Sequence, residues 1–213
     1  MRNVEDQDAP FMQLVMAIAG ADADATTKLL VARPELARRK ATVGASRHSS
    51  HEYFLELIEH HLYAGDTALH VAAAAYAEEM ASQLIVAGAD ICAKNRHGQE
   101  PLHYAVLGNP GSRRWNPGAQ AAAVGFLLKS GADPNCTDRG GVTPLHRAVR
   151  TRCAAAVRTL LEGGADPRQT SKAGSTAFGL AQWTTGRGGS GTPEAKAQQQ
   201  EILELLRKAT NSS

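Results

Sequence analysis

The sequence predicts an all-α fold, a solenoid of stacked helix-turn-helix units, and three observations carry that prediction. A motif at Thr143-Pro144-Leu145-His146-Arg147-Ala148 has counterparts at Thr67-Ala68-Leu69-His70-Val71-Ala72, Glu100-Pro101-Leu102-His103-Tyr104-Ala105 and Thr176-Ala177-Phe178-Gly179-Leu180-Ala181. The copies begin 33, 43 and 33 residues apart, a period at which each unit is one helix pair that must stack on its neighbours to bury a core. A Gly-Ala-Asp triplet returns on the same schedule at 88–90, 131–133 and 164–166.

The elements follow in order. Leu69 precedes Leu84, and Leu145 precedes Leu160, by 15 residues, and Leu14 precedes Leu29 by the same 15. Residues 10–34 therefore read as a degenerate capping repeat, with helices over Phe11–Gly20 and Asp24–Ala32 and a stop at Pro34. An insertion follows, within Arg33–Tyr63 and chiefly 35–63. Its first part is a polar loop. Its second part reads as a helix, because Ser49 and Glu52 have capping-box spacing and Phe54, Leu57, Ile58 and Leu62 form an apolar stripe. Repeat two spans 64–97, with an alanine-rich first helix that permits close approach.

Repeat three spans 98–140, and its helices are parted by an inserted loop at 108–118 that carries Arg113, Arg114 and Trp115 between two Pro-containing turns. Repeat four, 141–173, is undisturbed. Repeat five, 174–209, has a Gly-rich insert at Gly186–Gly191. Thr192-Pro193-Glu194 then starts a closing helix to about Lys208, with Thr as cap and Pro in its first turn.

Composition bounds the function. Aromatics make up only 5% of the 213 residues, which suits thin, closely packed helix pairs. A formal net charge of +2 gives no argument for nucleic acid. Cys92, Cys136 and Cys153 are an odd set without C-x-x-C spacing, which points to free thiols in a reducing, cytoplasmic setting. No apolar run is long enough for a membrane span, and the acidic residues before Phe11 have the wrong sign for a signal peptide. No linker suggests a missing catalytic domain, so a complete and monomeric protein is expected.

The motif T-P-L-H-x-A at a 33-residue period resembles the ankyrin-repeat family, over nearly the whole chain apart from three inserts. The resemblance implies a first helix lining a concave face, a second on the convex side, and a β-hairpin finger between repeats. It assigns Thr67, Thr143 and Thr176 to helix caps, Pro101 and Pro144 to first turns, and Leu69, Leu102 and Leu145 to the core. It gives His70, His103 and His146 a structural role, hydrogen-bonded to neighbouring backbone. Glu100, Ala68, Ala177 and Gly179 depart from the pattern. So do Tyr76, Asn109 and Arg152, which stand where glycine usually follows the first helix.

The resemblance also implies protein binding through finger tips and exposed first-helix positions. Here those are Arg96, His97, Gln99, Arg139, Val142, Lys172 and Ser175 on the fingers. On the helices they are Tyr104, Leu107, Arg147, Arg150, Thr151, Trp183 and Thr184. With Trp115 in its loop, these make a basic, aromatic-bearing surface of the kind interface hot spots favour. The expected partner is a protein with an acidic surface or segment; neither nucleic acid nor membrane is expected.

No nucleophile lies beside a base in a motif context, so no enzyme, no catalytic residue and no cofactor is expected. His48, His51, His60 and His61 enrich the insert at 33–63 and suggest the alternative, a ligand- or metal-responsive sensor. His51 and His60, nine apart on the expected helix, could not share an ion, so no metal site is assigned. Gly186–Gly191 lacks the Lys-Ser/Thr and the preceding strand of a phosphate loop.

Overall fold

The computed structural model describes residues 4–47, 49–108, 115–182 and 193–211. The chain divides into two compact units, residues 1–104 and 105–213. Both are built of short helices, and among the described residues the only sheet is one two-stranded hairpin.

The first unit opens with α1 (Val4–Ala19), which starts earlier than the expected Phe11 and carries Pro10 within it. Phe11, Leu14, Val15 and Ile18 recur at i, i+3, i+4 and i+7, and all four are buried where α1 packs on α2 (Ala23–Ala32) and α3 (Ala68–Ala74). Asp8, on the early part of α1, is held by Arg39 (2.7 Å) and by the Thr42 hydroxyl, which tie the start of the insert to the helix. The α1–α2 turn puts Ala21 at φ 58°, with the Asp22 amide donating to the Ala17 carbonyl at 2.9 Å, a six-to-one closure of the helix end. Asp22 then caps α2 by accepting from the Ala25 amide (2.8 Å).

The insert is not the expected α-helix. Single 3₁₀ turns at His51–Tyr53 and Glu56–Ile58 flank the strands β1 (Phe54–Leu55) and β2 (His60–His61), paired antiparallel with Phe54 opposite His61. Glu59, at φ 51°, makes the reversal. The stripe at 54, 57, 58 and 62 fits a helix, but only Leu62 of those four is buried. The inward residues are Leu55 and Leu62, fixed by backbone bonds from Leu62 to Tyr53 (2.8 Å) and from Ala45 to Leu62 (2.7 Å). A helix of about a dozen residues is marginal on its own, and these non-local pairings replace it. Lys40 bridges to Thr67, and Ala41 exchanges hydrogen bonds with Asp66 and Gly65, so the chain reaches α3 from a finger-like pair.

α3 and α4 (Glu78–Val86) form the helix pair of repeat two. Tyr76, between them, adopts φ 54°, the left-handed turn a glycine would have supplied. α5 (Pro101–Ala105) follows, and its last residue begins the second unit.

In the second unit α6 (Pro117–Lys129) begins at Pro117 with Asn116 as its cap (2.9–3.0 Å bonds from Ala119 and Gln120 amides), so the second expected Pro turn is a helix start. The rest of that inserted loop, 109–114, lies outside the described residues, as does the Gly-rich insert within 183–192. α7 (Pro144–Arg150) and α8 (Ala154–Glu162) form the undisturbed repeat, with Arg152 between them at φ 55°. α6 packs on α8, and Gly125 faces the Thr159 methyl at a distance a Cβ would fill. α9 (Ala177–Gln182) packs on α7, and α10 (Pro193–Asn211) runs three residues past the expected end to cover α8 and α9 with Ile202 and Leu206.

Candidate functional site

Each finger is a hairpin tip closed over five residues. Asp138 Oδ1 accepts from the amides of Gly140 (2.8 Å) and Val142 (3.0 Å), Asp138 N–H reaches Val142 O (3.1 Å), and Gly141 turns at φ 71°. In the next finger Ser171 and Ser175 are joined the same way (2.9 Å), with Gly174 at φ 74°. The Lys172 amide donates to Gly140 O (2.9 Å), which binds one finger to the next; a Cβ on Gly141 would lie 2.9 Å from that nitrogen. Arg139 and Lys172 thereby stand exposed on adjacent tips.

The helix behind them is fixed by a reciprocal cap. The His146 amide donates to Thr143 Oγ1 and the Thr143 amide to His146 Nδ1, both at 3.3 Å. That leaves Nε2–H to donate to Ser175 O in the following finger (2.9 Å). Burial lowers the His146 pKa, so the ring is neutral near pH 7. Arg147 gives Nη2 to Asp138 Oδ2 at 2.9 Å. Burial pushes the Asp138 carboxyl up, but that contact and the two finger amides outweigh it and hold the group below its ordinary value.

Arg150 is exposed one turn further along α7. Thr151 ends the helix, and its hydroxyl donates to Val106 O (2.9 Å), so it serves packing rather than display. A cavity of about 680 Å³ opens here. Leu107, Val142, Arg147, Arg150, Thr151 and Ser175 all line it, which brings six of the expected site residues together. Among the described residues no carboxylate pairs with Arg139, Arg150 or Lys172.

The first-unit candidates are arranged differently. Asn95 Oδ1 closes its finger by accepting from His97 (2.8 Å) and Gln99 (3.0 Å) amides. Arg96 lies over the Tyr63 ring (5.3 Å), its Nε donates to His97 Nε2 (3.0 Å), and His97 meets Tyr63 edge-on at 4.9 Å. These two side chains hold the end of the insert. Gln99 is half-buried, and its carbonyl accepts from His70 Nε2 (3.0 Å).

Tyr104 corrects the expectation outright: it is 1% exposed. Its hydroxyl donates to the Asp66 carboxylate, 2.8 and 2.9 Å from the two oxygens, and accepts from Asn95 Nδ2 at 2.9 Å. Asp66 also accepts from Asn95 Nδ2 (2.9 Å) and the Tyr63 amide (2.7 Å). An acid stands here where the other repeats have Gln99, Val142 and Ser175, so the Tyr ring turns inward to supply a donor. That Asp was the available signal. Burial raises Asp66 to a pKa of about 6, against the pull of hydrogen bonds from Tyr63, Asn95 and Tyr104 and the charge of Arg96.

Trp115 is half-buried, with its indole nitrogen buried and without a hydrogen-bond partner among the described residues. Trp183 and Thr184 lie outside the described residues, as does His48. Among the described residues no three His, Cys, Asp or Glu side chains gather as a metal would require, and no helix is long and apolar enough to cross a membrane. Cys92 is exposed and Cys136 and Cys153 are buried, and none of the three is in a disulfide.

Three family models match the chain. One described as ankyrin repeats in three copies covers residues 14–115, a single ankyrin repeat covers 97–139, and one of ankyrin repeats in many copies covers 127–181. The chain is similar to ankyrin repeat and SOCS box protein 16 of Mus musculus, 38% identical over 89 residues (41% of this chain, 19% of that one). It is also similar to cyclin-dependent kinase 4 inhibitor B of Mus musculus, 40% identical over 86 residues (40% of this chain, 58% of that one). The same protein of Bos taurus is 37% identical over 87 residues, 40% of this chain and 58% of that one. The match thus spans between a fifth and three-fifths of these relatives.

Proposed function

This chain belongs to the ankyrin-repeat family, whose repeats mediate protein–protein interaction, and from that premise we propose that its second unit binds an acidic segment of a partner protein. One observation supports this reading most: Arg139 and Lys172 on adjacent fingers and Arg150 on α7 stand exposed with no carboxylate partner among the described residues. The relative named as an inhibitor of cyclin-dependent kinase 4 is consistent with a non-enzymatic mode of action through binding. The fingers are rigidly closed, so little ordering is lost on this side of the complex. The module is proposed to act as a monomer without cofactor, in the cytoplasm. No observation on the described residues favours the ligand- or metal-responsive alternative: of the insert histidines, His61 packs on the Phe54 ring at 4.8 Å and His60 on Tyr104 at 4.6 Å.

The test is affinity enrichment from host lysate with wild type beside the pair Arg139→Glu and Lys172→Glu. Two exposed contacts of roughly 0.5–1 kcal/mol each, reversed rather than deleted, predict at least a tenfold loss of the captured partner with an unchanged melting temperature. Equal recovery on both proteins would sink this placement.

A further inference from the structure

The cavity of the second unit is lined by two kinds of side chain: apolar Leu107, Val142, Val149, Leu180 and Ile202, and basic Arg147, Arg150 and Arg152. Among the described residues no Asp or Glu lines it. Arg152, on the left-handed turn after Thr151, is 4% exposed. Asp138 engages only Nη2 of Arg147, and the Arg147 Nε–H has no hydrogen-bond partner among the described residues. His146 adds a neutral ring whose nitrogens are committed to Thr143 and Ser175.

Arg150 has no carboxylate partner among the described residues and Asp138 engages only one end of Arg147, so positive charge remains at this concavity, and an anion there is attracted more strongly than it would be in open water. A guanidinium also matches a carboxylate in shape, donating two parallel N–H bonds. A bare small anion would leave most of the 680 Å³ and all of the apolar lining unused, whereas a volume in this range suits a ligand with a few polar anchors on an apolar body. We propose that the cavity seats one Asp or Glu side chain of a partner peptide together with an adjacent aliphatic side chain, reading an acidic–apolar pair. This deepens the proposed function and rests on it.

The test uses the full chain, ¹⁵N-labelled, with the arginine Nε–H resonances observed by NMR. The probes are acetyl-Leu-Glu-Leu-amide, acetyl-Leu-Gln-Leu-amide and inorganic phosphate. The Glu peptide is expected to shift the Arg147 and Arg150 resonances saturably and to bind about tenfold or more tightly than the Gln peptide, the worth of one charge-assisted hydrogen-bond pair. Arg150→Gln should remove most of that discrimination. Arg147→Lys should reduce it while keeping a cation against Asp138, so that a fall cannot be blamed on a collapsed finger. Equal binding of both peptides, no saturable shift up to about 10 mM, or shifts with phosphate matched by no peptide would overturn the proposal. Loss of partner capture on reversing Arg139 and Lys172, with no peptide discrimination, would leave the interaction module standing and remove only this seat. Peptide discrimination with capture unchanged would do the reverse.

Discussion

Replacing Asp66 by Asn should change how the stability of the protein depends on pH. Asp66 is 0% exposed, and burial raises its pKa from 3.8 to about 6 in the fold. Between those values the folded chain holds a proton that the unfolded chain has released, so stability falls as pH rises from about 4 to 6. With roughly 1.4 kcal/mol per pH unit, the shift is worth about 3 kcal/mol. His70 acts oppositely. Burial, with the charges of His103 and Lys40, lowers it from 6.5 to about 4 against the Gln99 hydrogen bond. The unfolded chain therefore protonates first, and stability is lost as pH falls from 6.5 to 4, again by roughly 3 kcal/mol.

In wild type the two slopes nearly cancel. Asp66→Asn removes one of them and leaves the other. The Asn amide must set a donor against Tyr63 N–H or Asn95 Nδ2, which costs about 1 kcal/mol at every pH and does not affect the slope. Urea unfolding at pH 4, 5, 6 and 7 should give a variant whose stability climbs by about 3 kcal/mol more than that of wild type over this range. Groups such as Asp8 and Asp138, held below the usual value, contribute equally to both proteins. Parallel profiles would refute the reasoning and place Asp66 in contact with water.

Two further perturbations test the local conformations. Ala21→Gly should stabilise the chain by about 0.5–1 kcal/mol, read as a higher urea midpoint, because an exposed Ala at φ 58° bears left-handed strain that exceeds the entropy glycine adds to the unfolded state; a lower midpoint would contradict the turn. Thr143→Val should cost roughly 1–2 kcal/mol and Thr176→Val less, because Thr143 shares a reciprocal cap with His146 whereas the Thr176 hydroxyl, among the described residues, accepts from the Gly179 amide alone (3.1 Å). Equal losses by thermal melting would show that the histidine contributes nothing to the cap.

The repeats were legible because their signals are local. Thr143 caps, Pro144 opens the first turn, Leu145 is buried, and the spacing from one motif to the next reports the stacking unit. Two things were not. The insert has apolar residues at 54, 57, 58 and 62, which satisfy a helical spacing, yet its conformation is decided by backbone bonds to Ala45 and Tyr53 and by the reversal at Glu59. A periodicity argument cannot weigh bonds made outside the window it reads. Tyr104 fell on a position the family pattern exposes, and what pulls it inward is Asp66, 38 residues earlier. Arg139, Arg150 and Lys172 of the second unit are exposed at their repeat positions with no carboxylate partner among the described residues, an arrangement that repeat spacing alone could anticipate. At Tyr76 and Arg152 the chain keeps the left-handed turn without the glycine, so the missing residue altered the cost of the turn and not its shape.

The same logic explains where the histidine is absent. His70 and His146 each hold their own cap with one nitrogen and give the other to a carbonyl 29 residues on, in the next finger. A histidine at 179 would have no such finger to serve, and Gly179 stands there instead. There α10 itself secures α9 and α8: Gln199 donates to Ala181 O (2.7 Å), the Ala154 amide donates to Gln198 Oε1 (2.8 Å) and Arg158 pairs with Glu201 (2.7 Å). Within the second unit, then, each element bearing a proposed contact residue is fixed from both sides: α7 by its cap and by α9, the finger of Lys172 by Gly140 and by His146. Arg139, Lys172 and Arg150 are long side chains on backbone held by finger hydrogen bonds and a helix cap. Binding there would cost side-chain freedom alone, about 0.5–1.5 kcal/mol for each residue immobilised, and charge rather than backbone ordering would set the affinity.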